Sequence, residues 1–170
     1  LRGVRGVVEL LLGEGVGVAD LHGALGDLRD ALAGAAALDG DLVICGSPVV
    51  ELDYDCDTEH FDVFIRVGET CPGGRARNVS DGYRRFTATP GAPIRIELDA
   101  AAHRFSAGSH IRLLIAGSCH PRFDRNLGTG EPAFIGSRMV PSVHTLRIGA
   151  ASRLILPAAD IGLASRPGYR

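Results

Sequence analysis

From residue 41 onward, apolar and polar side chains alternate with a period of two. Phe61, Val63, Ile65 and Val67 share one side of an extended chain, with Asp62 and Arg66 on the other. Ile94, Ile96 and Leu98 alternate with Arg95, Glu97 and Asp99; Ile111, Leu113 and Ile115 alternate around Arg112; Leu146 and Ile148 flank Arg147. Successive side chains of a strand point to opposite faces, so each run reads as a half-buried strand of antiparallel sheet. Turn clusters separate the runs: Cys71-Pro-Gly-Gly74, Ser80-Asp-Gly82, Thr89-Pro-Gly91 and Ser106-Ala-Gly108. Many short strands with Gly/Pro turns and no intervening helical pattern predict an all-β sandwich or jelly roll.

Two stretches break that pattern. Residues 1–38 are rich in Gly, Ala, Leu and Val and hold no proline. Within them Leu21, Leu25, Leu28 and Leu32 recur at helical spacing, which predicts a helix near 19–33 capped by Asp20, with Asp27, Arg29 and Asp30 toward water. Gly23 and Gly26 oppose it, each by about 1 kcal/mol relative to alanine. Residues 4–12 are apolar and fit either strand or helix. The second stretch, 117–142, is a long polar loop in which Asp124, Arg125 and Asn126 stand beside Gly128 and Gly130. Loops of that length are usually functional or disordered, and this composition predicts an ordered, hydrogen-bonded one. The expected organisation is a divergent N-terminal segment (1–38), partly helical or poorly ordered, a sandwich (39–160) and a short tail (161–170).

Composition narrows the partners. The chain has 170 residues, one domain's worth. A domain of that size buries roughly 70% of its unfolded surface, enough for a core without metals or cross-links. The net charge of −2 predicts no general attraction to nucleic acid or anionic membrane. All 18 basic residues are arginine, a bias that accompanies abundant Ala, Gly and Val and reads as coding bias in a GC-rich genome. Cys45, Cys56, Cys71 and Cys119 form no C-x-x-C pair, so free thiols in a cytoplasmic protein are expected. No apolar run reaches the roughly 18 residues that span a bilayer. The chain starts at Leu1 instead of Met, so its natural beginning is expected upstream.

The search for chemistry returns little. There is no G-x-S-x-G elbow, no H-E-x-x-H zinc site and no Walker loop, and Gly13-Glu-Gly-Val-Gly17 lacks the spacing of a dinucleotide loop. His103 and His110 are seven apart across a turn; the plainer reading is that His110 starts a strand at the end of the sandwich. Ser118, His120 and Asp124 invite comparison with a triad. Residues so close in one loop rarely gain the required orientation and a separate oxyanion hole, so His120 and Asp124 are read as loop anchors instead. Of Arg84 and Arg85, one is expected to form a salt bridge at the sandwich edge and the other to face solvent. No cofactor and no metal is expected.

Four segments in order resemble the C-terminal domain of X-Pro dipeptidyl-peptidases and of the CocE/NonD hydrolases. They are Asn78-Val-Ser-Asp-Gly-Tyr-Arg-Arg85, the run Phe105-Ser-Ala-Gly-Ser-His110 continuing to Ser118, Pro121-Arg-Phe-Asp-Arg-Asn126 continuing to Gly130, and Ser152-Arg-Leu-Ile-Leu-Pro157. The third, similar to "P-R-F-D-x-N-x-x-T-G", is the most specific. The resemblance covers residues 41–157 and implies a galactose-binding-like jelly roll. It also implies a preceding α/β-hydrolase domain, absent from this chain, that carries the catalytic Ser, Asp and His. No catalytic residue carries over. Two departures stand out: Gly68-Glu-Thr-Cys-Pro-Gly-Gly74 where the family has "D-V-x-P-D-G", and Ser109 between Gly108 and His110 where the family sets them side by side. Residues 1–38 do not resemble the end of a hydrolase domain and read as a divergent, truncated or frame-shifted start.

The resemblance implies an accessory role, the sandwich packing on the hydrolase domain and shaping its active-site entrance. Arg122, Asp124 and Asn126, with His110 and His120, are the expected interface and loop-structuring residues. Self-association stands as a second kind of partner. The competing readings are a stand-alone ligand- or carbohydrate-binding module, which the lack of Trp and a count of only three Tyr disfavour, and a non-functional fragment with an exposed apolar face.

Overall fold

The computed structural model of the chain describes residues 37–159 apart from Ala92, together with the backbone of three earlier strands. In chain order the strands are β1 (Arg5–Leu11), β2 (Val18–His22), β3 (Ala33–Gly34), β4 (Leu42–Gly46), β5 (Val49–Cys56), β6 (Phe61–Thr70), β7 (Ala76–Phe86), β8 (Ile94–Glu97), β9 (Ala101–Phe105), β10 (His110–Ala116), β11 (Val143–Arg147) and β12 (Arg153–Ala159). No helix occurs among the described residues. Every pairing is antiparallel. The larger sheet runs β2-β11-β5-β12-β4-β9, with β1 added beside β12 and β8 beside β5; the smaller runs β3-β10-β6-β7. The architecture is all-β, two antiparallel sheets arranged as a sandwich.

The period-two pattern explains why the sheets face each other. Val50, Leu52, Tyr54 and Leu154 from the larger sheet meet Phe61, Val63, Ile65, Val67, Ile111, Leu113 and Ile115 from the smaller in one buried cluster. At about 25 cal/mol per Å² of apolar surface removed from water, this cluster is the main source of stability. Phe61 is buried within it, stacked on Phe86 at 4.7 Å and on Tyr54 at 6.0 Å between ring centroids.

The expected helix over 19–33 is not found where that span is described. Val18–His22 is instead a strand on β11, and Ala33–Gly34 pairs with β10; residues 23–32 lie outside the described residues. The physical reason is competition. Gly23 and Gly26 weaken the helix, while the free edge of β11 offers a ladder of unpaired backbone groups. The apolar stretch 4–12 resolves to strand, Arg5–Leu11 pairing along β12. The expected tail, 161–170, also lies outside the described residues.

One end of the sandwich is closed by a buried carboxylate. Glu69 points inward from β6 and is 1% exposed. Its Oε1 accepts the Ser106 N–H at 3.0 Å and the Ser109 hydroxyl at 2.7 Å, and its Oε2 meets His103 Nε2 at 3.0 Å. Burial drives its pKa upward, but the Ser106 N–H, the Ser109 hydroxyl and His103 together hold it below the usual carboxylate value. Ser109 is thus fully buried as a donor to this carboxylate. His103 is engaged here, and no group of three or more metal-ligating side chains occurs among the described residues.

Candidate functional site, a strap clamped to the smaller sheet

The outward face of the smaller sheet carries a ladder of complementary pairs. Asp62 lies opposite Arg85, Phe64 opposite Tyr83 and Arg66 opposite Asp81 on β6 and β7. Directly opposed side chains are the closest neighbours across an antiparallel pair, so each couple interacts. Arg85 grips Asp62 with Nε at 2.8 Å and Nη2 at 2.9 Å; Arg66 grips Asp81 with Nε at 2.6 Å and Nη2 at 2.9 Å. These are forked, charge-assisted bonds, stronger than neutral ones.

Residues 117–142 lie across this ladder as a strap, in register with it. Arg122 bonds Asp81. Phe123 stacks on Tyr83 at 3.9 Å with the rings 6° apart, and lies 6.4 Å from Phe64. The Asp124 carbonyl accepts Arg85 Nη2 at 2.6 Å, and Asn126 Nδ2 donates to Asp62 Oδ1 at 2.9 Å. With the Tyr83 hydroxyl on Oδ2 at 2.8 Å, Asp62 accepts four hydrogen bonds and is 1% exposed. A carboxylate has about four acceptor positions, so its capacity is filled. Burial and the bond to Asp62 push the Tyr83 phenol up to about 12. Arg66, against some opposing burial, and Arg122 hold Asp81 below the usual carboxylate range.

The strap also holds itself. Asn126 Oδ1 accepts the Gly128 N–H at 3.0 Å, and the Val140 N–H donates to the Leu127 carbonyl at 2.8 Å. Gly128 has φ +72°, and a Cβ there would sit 2.7 Å from the Val140 carbonyl oxygen, so both backbone conformation and space demand glycine. Asn126 uses its amide nitrogen and its oxygen at once, which aspartate cannot do beside Asp62.

The residues singled out in the sequence fall into different places. Arg122 and Asn126 bind the ladder through their side chains and Asp124 through its carbonyl, leaving the Asp124 carboxylate exposed. His110 opens β10, and His120 is exposed at the start of the strap. Arg85 is the bridging arginine of its pair. Arg84 lies at the edge, donating to the Arg95 carbonyl at 3.0 Å with its guanidinium 4.9 Å from the Phe86 ring. No hydrogen bond joins Ser118, His120 and Asp124. Asp62 and Asp81 went unnoticed in the sequence as strap anchors. The signal was there: an acidic residue on the outward side of β6 and another in the Asp-Gly-Tyr-Arg-Arg run, each opposite an arginine.

A serine does meet a histidine elsewhere, at the start of β11. His144, 1% exposed, has Nδ1 at 2.7 Å from the Tyr54 hydroxyl and Nε2 at 2.8 Å from Ser142 Oγ. Among the described residues the Tyr54 hydroxyl meets no other acceptor, so the arrangement that satisfies both donors has Nδ1 accepting from Tyr54 and Nε2–H donating to Ser142. In this tautomer the imidazole cannot take the serine proton, and the pair is not an activated nucleophile. Burial holds the ring below its ordinary value of 6.5, against the opposing pull of Asp57 and Asp62. A ring kept neutral in the fold contributes stability above the unfolded value, and that contribution is lost as pH falls through the folded one. The melting temperature is therefore expected to fall more steeply below about pH 6.5, with an added slope of up to about 1.4 kcal/mol per pH unit. Thermal unfolding between pH 8 and 5 checks this, and His144→Phe is expected to shrink the acid limb even though it lowers stability throughout.

By fold, then, the chain is a two-sheet β-sandwich whose most specific motif is spent on holding a surface strap. The sequence profile described as X-Pro dipeptidyl-peptidase C-terminal non-catalytic domain matches residues 25–154, and the chain belongs to that family. No curated protein sequence matches it. Several solved structures share the fold. An α-amino acid ester hydrolase matches at 22% identity with a TM-score of 0.66, over 75% of this chain and 25% of that one. An aminopeptidase from a marine sediment Thaumarchaeota archaeon matches at 15% and 0.74, over 90% and 37%. A CocE/NonD family hydrolase from Staphylococcus aureus matches at 14% and 0.67, over 91% and 37%. The chain therefore spans between 25% and 37% of the length of these proteins.

Proposed function

We propose that this chain is the accessory jelly-roll domain of a CocE/NonD-type serine hydrolase, packing on an α/β-hydrolase domain and shaping the entrance to its active site. Membership of a family described as C-terminal and non-catalytic carries this reading. The polar centres agree with it. Asp62, Asp81 and Glu69 are filled by structural donors, and His144 is held in a tautomer unsuited to activating Ser142. In such a complex the sandwich contributes by excluding water and bounding the substrate pocket, while the acyl-serine chemistry belongs to the other domain. Of the described tyrosines, Tyr54 is buried and Tyr83 is covered by Phe123, so neither offers a face on which a sugar ring could stack.

The purified chain is expected to leave X-Pro p-nitroanilides and p-nitrophenyl esters unhydrolysed above the buffer rate. Turnover that disappears with Ser142→Ala or Ser118→Ala would show a catalytic centre within the chain and end this reading.

A further inference from the structure

The accessory reading leaves open which face meets the hydrolase domain, and the structure distinguishes the outward surfaces. On the larger sheet, the outward side of β5, β8, β11 and β12 is occupied by ion pairs: Glu51 with Arg95 at 2.7 Å and Arg153 at 2.6 Å, and Asp53 with Arg147 at 3.1 Å. That face is charged and ion-paired, unlike the charge-depleted core of an interface. The strap is different. Its turn at 132–136 is closed by Ile135 and Gly136 N–H groups donating to the Pro132 carbonyl at 3.1 and 3.0 Å. Gly136 sits against the buried Leu127 side chain, which ties the turn down. On this tethered turn Phe134 is 88% exposed and Ile135 69%, and Met139 follows at 43%. These are three of the four large apolar side chains that are exposed among the described residues.

We infer that the strap turn, led by Phe134 and Ile135, is the surface on which this domain docks against its α/β-hydrolase domain. The inference rests on the accessory reading above. Two observations favour that occupant. The matched solved chains are each far longer than the region shared with this one, so the fold occurs beside a much larger body of polypeptide. The turn is also held in place before any partner arrives. A pair of large apolar side chains on a hydrogen-bonded turn has the character of an interface anchor, since less backbone ordering is left to oppose binding. Along the strap, exposed Arg125 and Arg138 are balanced by exposed Asp124 and Glu131. The contact is thus driven by apolar burial and should depend little on salt.

Two measurements test this. Superposing the sandwich on the archaeal aminopeptidase should bring the 132–136 turn against the remainder of that chain. If the turn points to solvent there and the ion-paired face that carries Glu51 and Asp53 is covered instead, the docking inference falls and the accessory reading stands. If no face of the sandwich touches the rest of that chain, the accessory reading falls too. In solution, the full chain should sediment as a monomer at micromolar concentration and bind 1-anilinonaphthalene-8-sulfonate, with fluorescence several-fold lower for Phe134→Asp/Ile135→Asp and an unchanged circular dichroism spectrum. Dimers dissolved by that double substitution would make a second copy the occupant and overturn the proposal; unchanged dye binding would overturn it as well.

Discussion

Asp62→Ala is expected to cost about 3 kcal/mol of folding stability, the low end of the range for breaking a buried ion pair, because Asp62 is buried while Arg85 is 40% exposed. The size follows from what the carboxylate holds. Arg85, Tyr83 and Asn126 all donate to it, and its removal leaves those donors around a void under the strap. For a chain of this length the melting temperature should drop by roughly 10 °C. Asp99→Ala is the matched control. Its carboxylate is 77% exposed and 3.9 Å from Arg122, so its loss should stay within about 0.5 kcal/mol. A loss below about 1 kcal/mol for Asp62→Ala in denaturant titration would mean that the ladder does not carry the strap.

One residue back along the same strand, Phe61→Ala is expected to cost at least as much, roughly 3–5 kcal/mol, for a different reason. Its side chain faces inward, between Phe86 and Tyr54, with His144 edge-on at 5.8 Å. Deletion opens a cavity where the two sheets meet, so it should weaken the whole sandwich and reduce the near-ultraviolet circular dichroism of Tyr54. Asp62→Ala should leave that signal in place and act first on the outside. Adjacent residues with opposite consequences are what a strand buried on both faces predicts. Equal effects on strap and core from both substitutions would argue against two separable layers.

The sandwich was legible because its strands follow the period-two rule. Phe61 to Val67, Ile94 to Leu98 and Ile111 to Ile115 each place their apolar side inward, as the alternation requires. The helix expected over 19–33 shows the limit of that reasoning. Four leucines at helical spacing say nothing about an unpaired edge on β11, and the described part of that span follows the edge. The strap was legible as an ordered loop and not as a clamp. Arg122 and Asn126 stand out in the sequence, but their partners Asp81 and Asp62 lie 41 and 64 residues away. Only the register of β6 against β7 brings the two carboxylates onto one outward face. The buried role of Glu69 was hidden similarly: nothing local marks the strand position that turns inward at the sandwich end.

A strap that is a fixed part of the fold protects its amides, and hydrogen exchange measures that directly. The amides of Phe123, Gly128 and Val140 donate within the strap to the Cys119 carbonyl, the Asn126 side chain and the Leu127 carbonyl. In the wild-type chain these amides should exchange at least a hundred-fold more slowly than an open loop, a protection of about 2.7 kcal/mol or more, and Asp62→Ala should abolish most of it while the β5 and β6 amides stay slow. Free exchange of the three amides in the wild type, at the rate of an unstructured segment, would contradict the clamp and the docking surface built on it.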